Sequence, residues 1–138
     1  MNNKDCLFCK IIKRELPSSV IYEDDLTLSF LDISPANKGH ALVITKDHHT
    51  NIFDIPESEF KALTLSVQKV SKAVKTATKA DGVNVFINNN KSAGQVVFHI
   101  HFHVIPRYEN DGFQLKWPHK KYEHNEAIMY AENIKKFF

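Results

Sequence analysis

The chain has 138 residues, 43% of them hydrophobic and 25% charged, the balance of an ordinary globular protein that buries one core, which argues against a disordered or membrane-spanning class. Eighteen basic residues are dispersed among sixteen acidic ones for a net charge of +2, too little to suggest a nucleic-acid surface. The polar start Met1-Asn2-Asn3-Lys4-Asp5 lacks the apolar run of a secretion signal, and no later run approaches the roughly 18 apolar residues of a membrane span, so a cytoplasmic location is expected.

Asp5 is placed to cap a short helix in which Leu7, Phe8, Ile11, Ile12 and Leu16 recur at helical spacing, with Pro17 as its stop. Cys6 and Cys9 then share one face of it. From Val20 to Leu31 the chain reads as strands around a turn at Glu23-Asp24-Asp25, and Asp32-Ile33-Ser34-Pro35 closes them. A turn at Asn37-Lys38-Gly39 leads into Ala41-Leu42-Val43-Ile44, short and continuously apolar like a buried strand, after which Lys46 to Asn51 leaves the sheet. A long helix starts near Pro56, with Glu57 and Glu59 complementing its N-terminus. Phe60, Leu63, Val67, Val70, Val74 and Ala77 keep to one stripe facing a core, and Gly82 stands where a terminator belongs. Val83–Ile87 is a strand, Asn88–Gly94 a polar loop, Val97–Ile105 a strand ending at Pro106, and Asn125–Lys136 a final amphipathic helix. The order helix, strands, helix, strands, helix indicates one α+β domain over 1–138 with a mainly antiparallel sheet of about five strands.

Chemistry concentrates in Val97-Phe98-His99-Ile100-His101-Phe102-His103-Val104-Ile105. Alternation on a strand puts His99, His101 and His103 on one face and Phe98, Ile100, Phe102 and Val104 on the other, with neighbouring imidazoles about 6.5 to 7 Å apart. A lone strand histidine is usually structural, but three in register are costly to bury without a use, since an unpaired buried polar group costs on the order of 1 to 3 kcal/mol. Two chemistries fit the row: ligation of a catalytic transition metal, or nucleophilic attack on phosphorus by a neutral imidazole. The pair Cys6-Leu7-Phe8-Cys9 suits a redox couple, a metal pair or a plain buried pair.

His99-Ile100-His101-Phe102-His103-Val104-Ile105 matches the signature His-φ-His-φ-His-φ-φ, with φ apolar, at every position, and the chain resembles the histidine triad (HIT) superfamily. The likeness runs through Phe8-Cys9-Lys10-Ile11-Ile12, Tyr22-Glu23-Asp24-Asp25, Phe30-Leu31-Asp32-Ile33-Ser34-Pro35, Gly39-His40 and Gly94-Gln95, a core of 6–108, and weakens over 109–138. It is similar to small bacterial members of the nucleoside phosphoramidase branch. The resemblance implies a HIT-like fold with two sheets joined in a homodimer, and a hydrolase or transferase acting at the α-phosphate of a purine nucleotide such as an adenosine phosphoramidate. His101 would be the nucleophile forming a nucleotidyl-histidine intermediate, supported by His99 and His103, the latter near the leaving group.

By the same resemblance Asp32 would bind the ribose hydroxyls, being otherwise a turn residue, and Phe8, Ile11, Phe30, Leu31 and Ile33 would line the base pocket, being otherwise plain core. Asn88, Gly94, Gln95, Val96 and Val97 would approach the phosphate from the loop before the triad strand. Val96 stands where the branch often carries a serine that assists the leaving group, which puts amine assistance in question. The resemblance also implies a structural zinc held by Cys6, Cys9, His48 and His99, with no catalytic metal, which would leave the catalytic work to His101 and His103. His49 adjoins His48, while His40, His119 and His124 read as surface or turn residues. Two alternatives stay open: a dinucleoside polyphosphate hydrolase, or a noncatalytic purine-nucleotide-binding or interaction module using Phe113, Trp117, Tyr122, Phe137 and Phe138.

Overall fold

A computed structural model describes residues 5–138; the polar start at 1–4 lies outside the described residues. The elements in chain order are α1 (Leu7–Ile12), β1 (Val20–Glu23), β2 (Thr27–Leu31), β3 (Ala41–Thr45), α2 (Glu57–Thr78), β4 (Gly82–Ile87), β5 (His101–Arg107) and α3 (Glu126–Lys135), with a 3-10 turn at Lys91–Ala93. The strands form one sheet in the order β1-β2-β3-β5-β4, antiparallel throughout. An α+β fold with a five-stranded antiparallel sheet is what the element order led one to expect.

Both faces of the sheet centre are covered, so β3 is an unbroken buried apolar run and in β2 even Thr27 and Ser29, which alternate with Leu28 and Phe30, are buried. On one face α2 lays Leu63, Val67, Val70 and Val74 against Ala41, Val43, Ile100 and Val104. Each such side chain contributes about 1.5 to 3 kcal/mol of gross burial. Ala77, at the end of the expected stripe, is exposed. On the other face α1 packs Phe8 and Ile11 against Leu28, Phe30, Leu42 and Ile44. Residues directly opposite in an antiparallel pair share a face. His101 opposite Ile44 and His103 opposite Leu42 therefore point toward α1, while Phe102, opposite Val43, points toward α2.

Several boundaries differ from the sequence expectation, each for a local reason. The first helix is capped at Cys6, not Asp5, and stops at Ile12, well before Pro17, where Arg14 turns to φ 61° and Glu15 N–H reverts to the Lys10 carbonyl. Leu16 lies outside it. Helix α2 ends because Lys79 takes the left-handed conformation (φ 55°); Gly82 instead opens β4. The triad strand begins at His101 rather than Val97, because the preceding backbone leaves the ladder to meet the segment after β3, with Ile100 N–H donating to the His49 carbonyl at 2.7 Å. It also runs past Pro106 to Arg107. β3 has already ended opposite Val104, and the Pro106 carbonyl on that open side accepts from Asn37 Nδ2, so the missing N–H of the proline costs no ladder bond.

Just after β5 the carboxylate of Asp111 accepts from Arg107 Nε and Nη2, Asn37 Nδ2 and the backbone amides of Tyr108 and Phe113. Beyond this latch every residue from Gln114 to Phe138 is exposed, α3 included. Among the described residues no helix is long and apolar enough to cross a membrane.

Candidate active site

His101 is buried, and its Nδ1 lies 2.7 Å from the carbonyl oxygen of His99. A carbonyl can only accept, so Nδ1 carries the proton and Nε2 is left with its lone pair. Burial lowers the pKa of His101, opposed by the hydrogen bond to His99 and by the charge of Asp32, so the ring is neutral at pH 7. The edge of Phe8 packs on it with ring centroids 5.2 Å apart.

The neighbouring ring of His103 stands 5.0 Å from that of His101 and stacks on Phe86 at 4.8 Å. Burial, reinforced by the nearby His101 and His40, pushes its pKa down to about 4. His40, which the sequence suggested as a turn or surface residue, is 5% exposed and places Nε2 2.9 Å from His103 Nδ1. Burial lowers its pKa as well, against the pull of Asp32.

The rings of His101 and His103 border a cleft of about 420 Å³ walled by α1, the end of β2 and the loop before the triad. Phe8, Ile11, Phe30, Leu31, Asp32, Ile33, Asn88, Gly94, Val96, Val97, His101 and His103 all line it. Gln95 does not: it is buried, and its amide instead ties the loop to Thr50 and Val97 while accepting from Asn90 N–H. Gly94 bends the loop with φ +89° and nothing closer than Asn88 beside it, leaving an open backbone approach to the cleft. Ile33 and Val96 stand at the rim, 95% and 84% exposed. Leu16, Pro17 and Ser18 complete a wall that the sequence did not single out; they enter because the chain turns back after the early end of α1. Asp32 is a turn residue that also borders the cleft: Oδ1 accepts from Ser34 N–H at 2.8 Å within its own turn, and Oδ2 lies 3.8 Å from His40 Nε2.

The three triad imidazoles do not address one centre. His99 is fully buried and its Nε2–H donates to the Thr45 carbonyl at 2.8 Å, which turns Nδ1 away from the cleft toward Cys6 Sγ (3.5 Å) and Cys9 Sγ (3.7 Å). His48 Nδ1 is 3.4 Å from Cys9 Sγ, and the four donor atoms lie within 4.8 Å of one another. Tetrahedral zinc with ordinary Zn–S and Zn–N bonds spaces sulfur and nitrogen about 3.6 Å apart, so the set fits that ion. His49 is not part of it; its Nε2 pairs with Glu59 at 2.8 Å. Among the described residues the other donor set close enough for one ion is Asp32, His40 and His103, so no single set contains all three triad histidines.

A model of the HIT domain matches residues 13–110. The chain belongs to the HIT-domain family. A Saccharomyces cerevisiae relative named adenosine 5'-monophosphoramidase is 46% identical over 82% of this chain and 70% of its own length. A solved Bacillus subtilis HIT-family structure covers 98% of both chains at 38% identity and a TM-score of 0.92. A zinc-bound histidine triad protein from Mycobacterium smegmatis covers 97% of this HIT-domain chain and 98% of its own at 34% identity, with a TM-score of 0.77.

Proposed function

We propose that this HIT-domain protein hydrolyses or transfers at the α-phosphate of a purine nucleotide, an adenosine phosphoramidate or related ester, through a nucleotidyl intermediate on His101. The observation that carries the reading is the His101–His99 carbonyl bond, which leaves a bare Nε2 on a neutral ring lining a cleft that also holds a carboxylate, Asp32. The lone pair of Nε2 forms an N–P bond as the bond from phosphorus to the leaving amine or alkoxide breaks. The leaving group departs with the bonding pair and a proton drawn from water, and the hydroxide so formed attacks phosphorus, breaks the N–P bond and restores the imidazole. One water is consumed. Phe8, Ile11, Phe30, Leu31 and Ile33 offer the apolar surface a purine needs, Asp32 the acceptor for ribose hydroxyls, and His103 a contact to the phosphoryl group.

Cys6, Cys9, His48 and His99 would hold a structural zinc, a reading supported by the donor geometry and by the zinc-bound relative. With four protein ligands such an ion has no open position; it fastens α1, one wall of the cleft, to the backbone that leads into His101. We further propose a cytoplasmic homodimer joined through sheet edges, for which β4 offers an unpaired side with Val85 exposed.

Incubation with adenosine 5'-phosphoramidate should release AMP, and quenching should trap a mass-shifted adduct on His101. His101→Ala should abolish turnover while retaining nucleotide binding. Undiminished turnover by that variant would sink the reading, and tight AMP binding without turnover by the unaltered protein would leave a binding module in its place.

A further inference from the structure

The backbone amide of Ala36 lies 3.1 Å from His40 Nδ1. A backbone N–H can only donate, so that nitrogen holds a lone pair and the proton of neutral His40 sits on Nε2. Nε2 faces His103 Nδ1 at 2.9 Å, whereas the nearest carboxylate oxygen, on Asp32, is at 3.8 Å and out of hydrogen-bond range. The direction of the inter-ring bond is thereby settled: His40 donates and His103 Nδ1 accepts. The proton of neutral His103 must then be on its own Nε2, the nitrogen on the far side of the ring, which has no hydrogen-bond partner among the described residues and belongs to a side chain lining the cleft. Two residues earlier the tautomer is reversed, since His101 Nδ1–H donates to the His99 carbonyl and Nε2 is bare.

We propose that His40 is a positioning residue which, oriented by the Ala36 amide, fixes His103 as an Nε2–H donor, so that the cleft presents a bare nitrogen on His101 beside an N–H on His103. The inference rests on the hydrolase reading for its use and names the group that organises that site. The bare nitrogen is placed to bond to phosphorus and the N–H to hold a phosphoryl oxygen as negative charge gathers on it. With the opposite tautomer at His103, two lone pairs would meet an anionic phosphate. Two separate backbone groups set the alternation: the Ala36 amide, acting through His40, fixes His103, and the His99 carbonyl fixes His101. None of this depends on a charged imidazole.

The test is a two-bond proton–nitrogen correlation spectrum of the full, nitrogen-15-labelled chain near neutral pH, which reads which ring nitrogen is protonated. His40 and His103 are expected as Nε2–H tautomers and His101 as Nδ1–H. A proton on Nδ1 of either His40 or His103 overturns the proposal. His40→Gln, whose side-chain amide can still donate to His103 Nδ1, should keep the His103 signature and most of the turnover. His40→Leu should lose the signature and lower kcat by about 10-fold or more with a smaller change in KM, in line with the loss of one oriented donor. An unchanged His103 spectrum and kcat in folded His40→Leu refute the positioning role, and should that variant not fold, the spectrum of the unaltered chain decides alone. The two readings fail separately: absent turnover with these tautomers removes the hydrolase reading only, whereas a His101 adduct with reversed tautomers removes this one only.

Discussion

Phe8→Ala probes the joint between fold and site. The ring is 4% exposed and stands edge-on to three others, Phe30 at 5.5 Å, His99 at 5.9 Å and His101 at 5.2 Å. Truncating a buried phenylalanine to alanine costs about 3 to 5 kcal/mol. Because Phe8 also borders the open cleft, water can enter the space left behind, which argues for the lower end, about 3 kcal/mol. For a chain of 138 residues each kcal/mol shifts the melting midpoint by about 3 °C, so a fall of about 10 °C is expected. The six-residue helix α1 is too short to persist alone, so its hold on Cys9 should loosen too, and zinc should be stripped by a weaker chelator. Phe8→Leu keeps most of the volume and loses the edge contacts, so it should fall between. Scanning calorimetry checks the midpoint and a colorimetric chelator the metal. A midpoint within 2 °C of the unaltered protein, or metal release unchanged, would show that the ring does not brace the site.

Cys9→Ala should lower bound zinc per chain to near zero by elemental analysis and reduce thermal stability, with the folded fraction retaining turnover. Acidification should destabilise the fold in a defined window: with His103 held down to about 4 from 6.5, the unfolded chain takes up a proton between those values that the folded chain refuses. Stability is therefore full above pH 6.5 and smaller by about 2 kcal/mol at pH 5 from this residue, with His40 adding in the same direction, and urea melts at pH 7 and 5 measure it. Asp32→Asn should raise KM by about 10-fold, equivalent to one charge-assisted bond of about 1.4 kcal/mol, and should narrow the discrimination between ribo- and 2'-deoxyribonucleotide substrates. Val96→Ser, at the exposed rim of the cleft, should raise turnover of amine leaving groups relative to esters in steady-state assays; equal effects on both would show that the position does not touch the leaving group.

Periodicity carried most of the fold. The stripe from Phe60 to Val74 corresponds to one buried helix face, and the alternation of His101, Phe102, His103 and Val104 to the two faces of the sheet, because the covering layer on either side demands that spacing. What local patterns could not supply were stops and long-range partners. Nothing in Leu7–Leu16 announces that Arg14 turns left-handed, and the ladder starts at His101 only because the preceding backbone is claimed by the segment after β3. His40 escaped notice because its meaning comes from His103, 63 positions away. Strand alternation alone put His99 beside the other two imidazoles, and only the family resemblance grouped it with Cys6, Cys9 and His48; its rotation toward them is set by the Thr45 carbonyl, a contact across 54 positions. Gln95 was taken for a phosphate contact, whereas its burial among loop carbonyls makes it a brace.

The Asp111 latch has a consequence for how this chain can vary. The buried side chains all lie before it, in an interior where one methylene more or less is felt, and the family match at 13–110 stops just short of the carboxylate. The aromatic and basic stretch that follows is exposed throughout and buries no side chain. A tag, a deletion or a transplanted tail beginning at Gln114 should leave the sheet and its histidines in place, while a change at Arg107 or Asp111 should unfasten the last strand from its end.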